Sequence, residues 1–400
     1  MSKRCQIIGV LDNGCTGLSA AALVCLQEAE IVIAASRVLS LFADTIAQAE
    51  GKDLTGKLSL VPEWVNAALA AQKKVVVLAT GDPLCHGIAS FLTKKLGAEK
   101  LEVMPNVSSI QLAFARTGMA WQDAKICSVH SKGAGEWQTG AGAEHGLYAL
   151  LQAIHQHDKL AVLTSPENNP ARIARMLVME NMSDLFSMVV AEDLLCANEK
   201  LFQDLSIAEL AEQEFTGNDV VILCRLQEKT DELLFGYADH AFKQRKPDKG
   251  LITKREVRAV SLARLQLTRN SIVWDIGAGS GSVGIEAAKL CAQGHVYAVE
   301  KNVADFAIAI ENARNFGLHN YTLIEHKAPL GMQNWPAPNA VFIGGSGGEL
   351  AELIELCLAK LQVNGCLVMN FVTLENLNTA LEALKQNGAL WDITQLQASR

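Results

Sequence analysis

The 400-residue sequence has no apolar run near the roughly 18 residues that a membrane-crossing helix needs, so no segment is expected to span a bilayer as a helix. Its ten cysteines contain no C-x-x-C pair, which argues against the common zinc and disulfide frameworks and for buried thiols in a reducing compartment. Closely spaced histidines are limited to His155 and His157, which read as a solvated helix end rather than metal ligands. Positive charge is also short: a net charge of −8 excludes broad electrostatic binding to nucleic acid, so an anionic substrate needs a local basic patch. The opening stretch carries Lys3 and Arg4, but its apolar segment stops at Asp12, too soon for a secretory signal, and a cytoplasmic location is expected. Aromatics make up only 6% of the chain, while half of it is hydrophobic and alanine is common, as in α/β enzymes with small-residue helix packing. The length is enough for two or three domains.

What is present centres on Ser271 to Glu300. A short apolar run to Ile276, a glycine-spaced turn at Gly277 to Gly281, a helical stretch from Ser282 to Leu290 and a second strand from His295 to Val299 make a nucleotide-binding βαβ unit. Two ligand patterns overlap there. Gly279, Gly281 and Gly284 fit the dinucleotide spacing G-x-G-x-x-G, whereas Asp275, Gly277, Gly279 and Gly281 fit the D-x-G-x-G-x-G turn of S-adenosylmethionine enzymes. A carboxylate at the strand end repels a pyrophosphate and attracts an ammonium or sulfonium, directly or through the dipoles it orients, which favours S-adenosylmethionine. Glu300 stands where an acid accepts hydrogen bonds from ribose hydroxyls.

In the first half, strands are expected at Cys5 to Leu11, Ala29 to Ala35, Lys74 to Ala79, Leu101 to Met104 and Leu160 to Leu163. Three of them open into short turns: Thr80 to Pro83, Pro105 to Ser109, and Thr164 to Pro166. Such turns at a sheet's carboxyl edge line one cleft, or are simply helix caps. Taken together, GDP at Gly81 to Pro83, PNVSS at Pro105 to Ser109, SVHSKG at Ser128 to Gly133 and LTSPENNP at Leu163 to Pro170 resemble the tetrapyrrole (corrin/porphyrin) methylases, from about Cys5 to Gln227. The resemblance implies two α/β lobes holding S-adenosylmethionine through Gly81, Asp82, Ser108, Ser109 and Thr164. The family's glycine-rich first loop is only partly kept, as GVLDNGCTG at Gly9 to Gly17. Gly133 to Gly146, rich in glycine and alanine around Trp137, reads as a mobile loop, a surface excursion ahead of the alternative of a substrate lid.

Lys243 to Arg258 inverts the charge balance: Lys243, Arg245, Lys246, Lys249, Lys254, Arg255 and Arg258 face only Asp248 and Glu256. This stretch is a solvated linker or an anion-recognising edge suited to several carboxylates. A doubly wound sheet follows, with a helix at Ala304 to Phe316, strands at Thr322 to Glu325, Ala340 to Ile343 and Cys366 to Asn370, and a GGSGG turn at Gly344 to Gly348. In that turn Gly344, Gly345 and Ser346 offer amides to substrate carboxylates. LITKREVRA at Leu251 to Ala259, DIGAGSGSVGIE at Asp275 to Glu286 and FIGGSGG at Phe342 to Gly348 resemble the decarboxylating precorrin methyltransferase domain of cobalamin synthesis.

The two resemblances in this order imply domains at 1–227 and 251–400 joined by a linker at 228–250. The fold they imply is α/β, a two-lobed methylase followed by a Rossmann-like methyltransferase. They imply a bifunctional enzyme with two S-adenosylmethionine sites that methylates carbons 5 and 15 of a tetrapyrrole and decarboxylates its ring C acetate, with the cobalt content of the substrate left open. By the same resemblance Thr253, Gly277, Ala278, Gly279, Ser280, Gly281, Glu300 and Ala328 hold the second cofactor, and the chain associates with itself. Lys254, Glu256 and Arg258 are candidates for substrate contact, against the alternative of a structural ion-pair network. A reduced tetrapyrrole carbon is already nucleophilic, so no Ser-His-Asp group and no metal centre are expected. An NAD-linked oxidoreductase and a non-catalytic tetrapyrrole-binding protein are the competing readings.

Overall fold

Apolar runs rich in β-branched residues, such as IVIA and VVVLAT, form strands buried on both faces, the pattern of parallel sheets covered by helices. In the computed structural model, which describes residues 4–130, 135–215, 219–227, 233–245 and 252–398, they belong to the first of two units. That unit comprises Met1–Trp137 with Ala153–Glu228. Its first sheet is built from β1 (Cys5–Val10), β2 (Ile31–Ala34), β3 (Glu50–Asp53), β4 (Val75–Thr80) and β5 (Leu101–Met104), in the parallel order β3-β2-β4-β1-β5. Side chains alternate: Ile7, Ile33 and Val77 pack on one face with Val65 and Leu92, while Ile8, Val32 and Leu78 pack on the other with Leu26.

The second sheet of this unit has β6 (Lys125–Ser128), β7 (Lys159–Leu163), β8 (Phe186–Glu192), β9 (Lys200–Phe202) and β10 (Asp219–Arg225) in the order β6-β7-β10-β8-β9. Only β6 and β7 run parallel.

The second unit, Gln138–Gln152 with Lys229–Arg400, carries one parallel sheet. Its strands β11 (Ile272–Ile276), β12 (His295–Glu300), β13 (Tyr321–Glu325), β14 (Ala340–Ile343) and β15 (Cys366–Met369) lie in the order β13-β12-β11-β14-β15. The chain leaves β11 toward β12 on one side and returns to β14 on the other, so the strand order switches between β11 and β14. That switch point is where α/β sheets place ligands.

Two stretches differ from the sequence expectation. The glycine- and alanine-rich excursion is not loose on the surface: Trp137 is buried and donates to Glu180, and Gln138–Gln152 packs within the second unit. There the Tyr148 hydroxyl meets His295 Nδ1 at 2.7 Å, and His295 Nε2 meets Thr322 Oγ1 at 2.8 Å. Burial lowers the His295 pKa to about 4, so this bridging ring is neutral. The stretch composed like a linker also contributes a core residue, since Phe242 is buried and stacks on Phe316. Residues 131–133 of SVHSKG, together with Lys3, Lys246, Asp248, Lys249 and Leu251, lie outside the described residues.

Candidate functional site

In the first unit the turns after β4, β5 and β7 meet at one cleft of about 310 Å³, a volume within the about 300–1,000 Å³ range of small-ligand sites. Gly81, Asp82, Ser108, Ser109 and Thr164 all line it. Their backbones approach closely because Gly9, at the end of β1, has no side chain: a Cβ there would sit 2.3 Å from the Gly81 carbonyl oxygen. The partly kept first loop is tied in by Asn106, whose Nδ2 donates to the carbonyls of Gly9 at 3.0 Å and Gly17 at 2.9 Å.

Much of the polar capacity here is already used. Ser108 caps the helix Ser109–Thr117 in a reciprocal box with Gln111, and the Asp82 carboxylate accepts from Leu84 N–H at 2.9 Å. The Thr164 hydroxyl donates to the Asp219 carbonyl at 2.8 Å. Arg37 pairs with Asp12 at the rim, and Cys85, His86, His130 and Asp219 are further ionisable lining residues. A wider concavity of about 800 Å³ around Pro62, Asn66 and Phe91 contains no strand end and none of the residues singled out by sequence.

In the second unit the turn after β11 is held from three sides. Glu300 Oε2 accepts from Gly279 N–H and Oε1 from Asn302 N–H, each at 2.8 Å. From behind, Asp275 Oδ2 accepts from Gly284 N–H at 3.1 Å, and Asn312 Nδ2 donates to the Ser280 carbonyl at 2.8 Å. Gly277 has φ +74, and a Cβ on it would lie 2.5 Å from the Gly345 carbonyl oxygen, so the GAGSG and GGSGG turns touch through their backbones. Asp275 is fully buried; burial and the nearby Glu300 raise its pKa to about 7 despite the bond from Gly284. It therefore acts on the turn from beneath, through Gly284.

The turn offers few amides to an anion. Gly277 and Ala278 N–H donate to the Val299 carbonyl, Gly279 to Glu300 and Gly281 to Ala278. Gly344 and Gly345 N–H turn inward to the Ile276 carbonyl, at 2.9 and 3.4 Å, which corrects the expectation that these two amides face a substrate. Ser346 stays half-buried at the same turn. Ala328 follows β13 and packs at the edge of the core beneath β14.

Among the charged candidates at the start of the helix Arg255–Arg264, the structure separates two cases. Arg258 is 0% exposed, and its Nε donates to Glu286 Oε1 at 2.7 Å, its Nη1 to the Thr253 carbonyl at 2.6 Å, and its Nη2 to the Tyr237 carbonyl. It is the centre of a structural ion-pair network rather than a substrate contact: its position falls in phase with Ser261 and Leu262 on the helix's inner face. Lys254 and Glu256 are exposed, Lys254 lying 3.9 Å from Asp239. Sequence reasoning missed Asp219, a buried acid in the first-unit cleft; its only signal was an acid opening the apolar run VVILC.

These arrangements match known proteins in sequence. The pattern of the Tetrapyrrole (Corrin/Porphyrin) Methylases matches residues 5–211, and that of the Precorrin methyltransferase domain matches residues 244–400. The precorrin-6Y C(5,15)-methyltransferase [decarboxylating] of Sinorhizobium sp is 30% identical over 373 residues, covering 92% of this chain and 84% of that protein. The cobalt-precorrin-6B C(15)-methyltransferase (decarboxylating) of Salmonella typhimurium is 42% identical over 149 residues, 37% of this chain and 77% of that protein. A crystal structure of precorrin-6y C5,15-methyltransferase from Geobacter metallireducens is 42% identical, covering 40% of this chain and 82% of that one, with a TM-score of 0.38.

Proposed function

The chain belongs to the tetrapyrrole (corrin/porphyrin) methylases, and with them to the decarboxylating precorrin-6Y C5,15-methyltransferases, and on that premise we propose that it holds two S-adenosylmethionine molecules, one in each unit. It is a methyltransferase of cobalamin biosynthesis that methylates carbons 5 and 15 of a precorrin-6Y-type macrocycle and removes the carboxyl of its ring C acetate. The first unit, about residues 1–227, serves carbon 5, and the unit from about residue 251 serves carbon 15 and the decarboxylation. The observation that carries the two-site reading is the Glu300 carboxylate beside Gly279 N–H. Each of its oxygens accepts one backbone bond and keeps acceptor capacity for a ribose hydroxyl.

When bound, S-adenosylmethionine supplies an electrophilic methyl group on a sulfonium. The chain's part is to bind, align and exclude water. Glu300 and the backbone of Gly277 to Gly281 hold the nucleoside end, with Asp275 fixing the turn through Gly284 and Thr253 and Ala328 completing the wall. In the first unit Gly81, Asp82, Ser108, Ser109 and Thr164 do the same around the cleft. The attacking macrocycle carbon uses its own π pair, and the positive charge it gains is relieved by loss of a proton or, next to the acetate, of carbon dioxide. The bond pair left by carbon dioxide flows into the macrocycle, so no protein nucleophile is required. Lys254 and Ser346 serve the substrate's carboxylates in this reading, and Glu256 contacts a polar or cationic part of the macrocycle.

The NAD-linked reading fails at the turn, where a pyrophosphate needs the amides that Val299 and Glu300 already take. Self-association and a cytoplasmic location belong to the same proposal, as does the absence of nucleic-acid binding that the net charge of −8 implies. The test is the mass of the tetrapyrrole after incubation with the purified chain and S-adenosylmethionine. Two methyl groups gained and one carbon dioxide lost is the expected result. One methyl without decarboxylation rejects a working second site, and an unchanged mass with both the cobalt-free and the cobalt-containing substrate returns the chain to the binding-protein reading.

A further inference from the structure

Of the two acids in the first-unit cleft that the reaction described above does not use, Asp12 is paired with Arg37 and Asp219 is not. Asp219 opens β10, is 6% exposed, and lines the cleft beside Thr164. Its Oδ1 has no hydrogen-bond partner among the described residues, a state that native structures rarely leave without a purpose. In the antiparallel pair of β8 and β10 it stands directly opposite Glu192, which is buried too. Like charges so placed destabilise a sheet. Glu192 has Lys200 Nζ at 3.7 Å, and Asp193 accepts from Asn198 at 2.6 Å. No ion pair reaches Asp219 among the described residues, and burial together with Glu192 and Asp193 raises its pKa to about 7.

A buried acid in a wall of acids, with one oxygen unengaged, is completed by a ligand that brings an N–H donor and positive charge. We propose that Asp219 is a recognition residue for the cationic methyl donor in the first-unit cleft, accepting an N–H of the ligand and giving the site its preference for the sulfonium donor over the uncharged thioether product. The inference rests on the reading of this cleft as an S-adenosylmethionine site. Before transfer the donor carries one more positive charge than the product, so the acid holds the donor and lets the product leave. The other ionisable groups lining the cleft are the Asp12–Arg37 pair, Asp82, Cys85, His86 and His130, so only the difference between chains with and without Asp219 measures its titration.

The test uses the full chain carrying Glu300→Ala, which disables the second-unit site, with calorimetric titration of S-adenosylmethionine and S-adenosylhomocysteine. One donor per chain is expected. Adding Asp219→Asn weakens the donor roughly tenfold, the effect of one charge about 12 Å from the sulfonium in an effective dielectric near 20, and weakens the product about threefold or less. Asp219→Glu keeps the preference. With Asp219 present, donor affinity rises between pH 6 and pH 8 with release of a proton, and Asp219→Asn removes that part of the slope. Equal loss for both ligands, or no loss, overturns the inference while leaving the cleft a donor site. No donor binding by the Glu300→Ala chain overturns the cleft reading and this inference with it. Removing a like charge should leave the melting temperature unchanged or raised; if Asp219→Asn melts lower, the Asp219→Glu chain decides, and loss of donor preference there overturns the proposal.

Discussion

Replacing Arg258 with alanine separates a structural ion pair from a substrate contact. The guanidinium is 0% exposed, pairs with an equally buried Glu286, ties down two carbonyls and lies 4.8 Å over the Phe242 ring. Removing one partner of a buried pair costs about 3–5 kcal/mol because the other charge is left uncompensated. Glu286 also accepts from Gly236 and Tyr237 N–H, at 2.7 and 3.1 Å, and those bonds survive the substitution. The lower end, about 3 kcal/mol, is therefore expected, with about 0.5–2 kcal/mol more for the lost contact with Phe242. At about 2–4 °C per kcal/mol for a unit of this size, the second unit should melt roughly 7–20 °C lower. Differential scanning calorimetry or urea unfolding reads this directly, with Lys254→Ala as the exposed comparator, expected within about 0.5 kcal/mol of the parent. An Arg258→Ala chain with parental stability and a raised KM for the tetrapyrrole refutes the reasoning and restores Arg258 as a substrate contact.

Asp275→Ala should abolish carbon 15 methylation and decarboxylation while carbon 5 methylation continues; mass spectrometry showing both activities lost together would contradict independent sites. The Asp275 carboxyl rises from about 3.9 in an unfolded chain to about 7 in the fold, so its stabilising effect is complete below about pH 4 and is lost as the pH climbs through about 7. Asp275→Asn should therefore be more stable than the parent at pH 8 by an amount that shrinks toward pH 4, and equal urea midpoints at pH 8 would show that burial does not strain this acid. Gly277→Ala forces a Cβ to 2.5 Å from the Gly345 carbonyl oxygen at positive φ, at about 1–3 kcal/mol of local strain, and should stop at a singly methylated product. A parental rate of double methylation would mean that the two turns need not touch. Tyr148→Phe loses the 2.7 Å bond to the buried His295 and should cost about 1–2 kcal/mol in the second unit's urea unfolding, whereas an unchanged midpoint would detach Gln138–Gln152 from that unit.

How far the sequence led depended on whether a feature was local. The helix Ser282–Leu290 and the strand Ala340–Ile343 have the bounds that their periodicity predicts, because a glycine turn and an apolar run mark both ends. Glu50–Asp53 was not legible: EGKD has neither alternation nor β-branched residues, and it becomes a strand only by pairing its backbone with Ile31–Ala34 at the sheet edge. The five cleft residues of the first unit were each ambiguous between a helix cap and a ligand contact, and Ser108 is both a cap and part of the cleft wall. Arg258 carried a legible sign that a count of basic residues overlooks: Arg258, Ser261, Leu262 and Leu265 share one helical face, so the charge had to be buried with them. Asp219 gave little sign beyond an acid opening an apolar run, since its neighbours Glu192 and Thr164 are 27 and 55 residues away and only the sheet pairing of β8 and β10 brings the acids together.

The hydrogen bonds already made at the two sites limit what they can hold. In both, the glycine amides at the strand ends face inward: Gly81 N–H donates to Val10, Gly277 to Val299, Gly344 to Ile276. A loop with its amides so engaged has little to offer a phosphate, whose binding depends on several free N–H groups converging on one anion. What remains available at each site is acceptor capacity, on Glu300 in the second unit and on Asp219 in the first. Acceptors suit a ligand made of hydroxyls, amines and positive charge. A nucleoside bearing a sulfonium has that composition, whereas a dinucleotide adds a pyrophosphate that the engaged amides of Gly277, Ala278, Gly279 and Gly281 do not meet, and in the first cleft the proposed cation-facing role falls to Asp219.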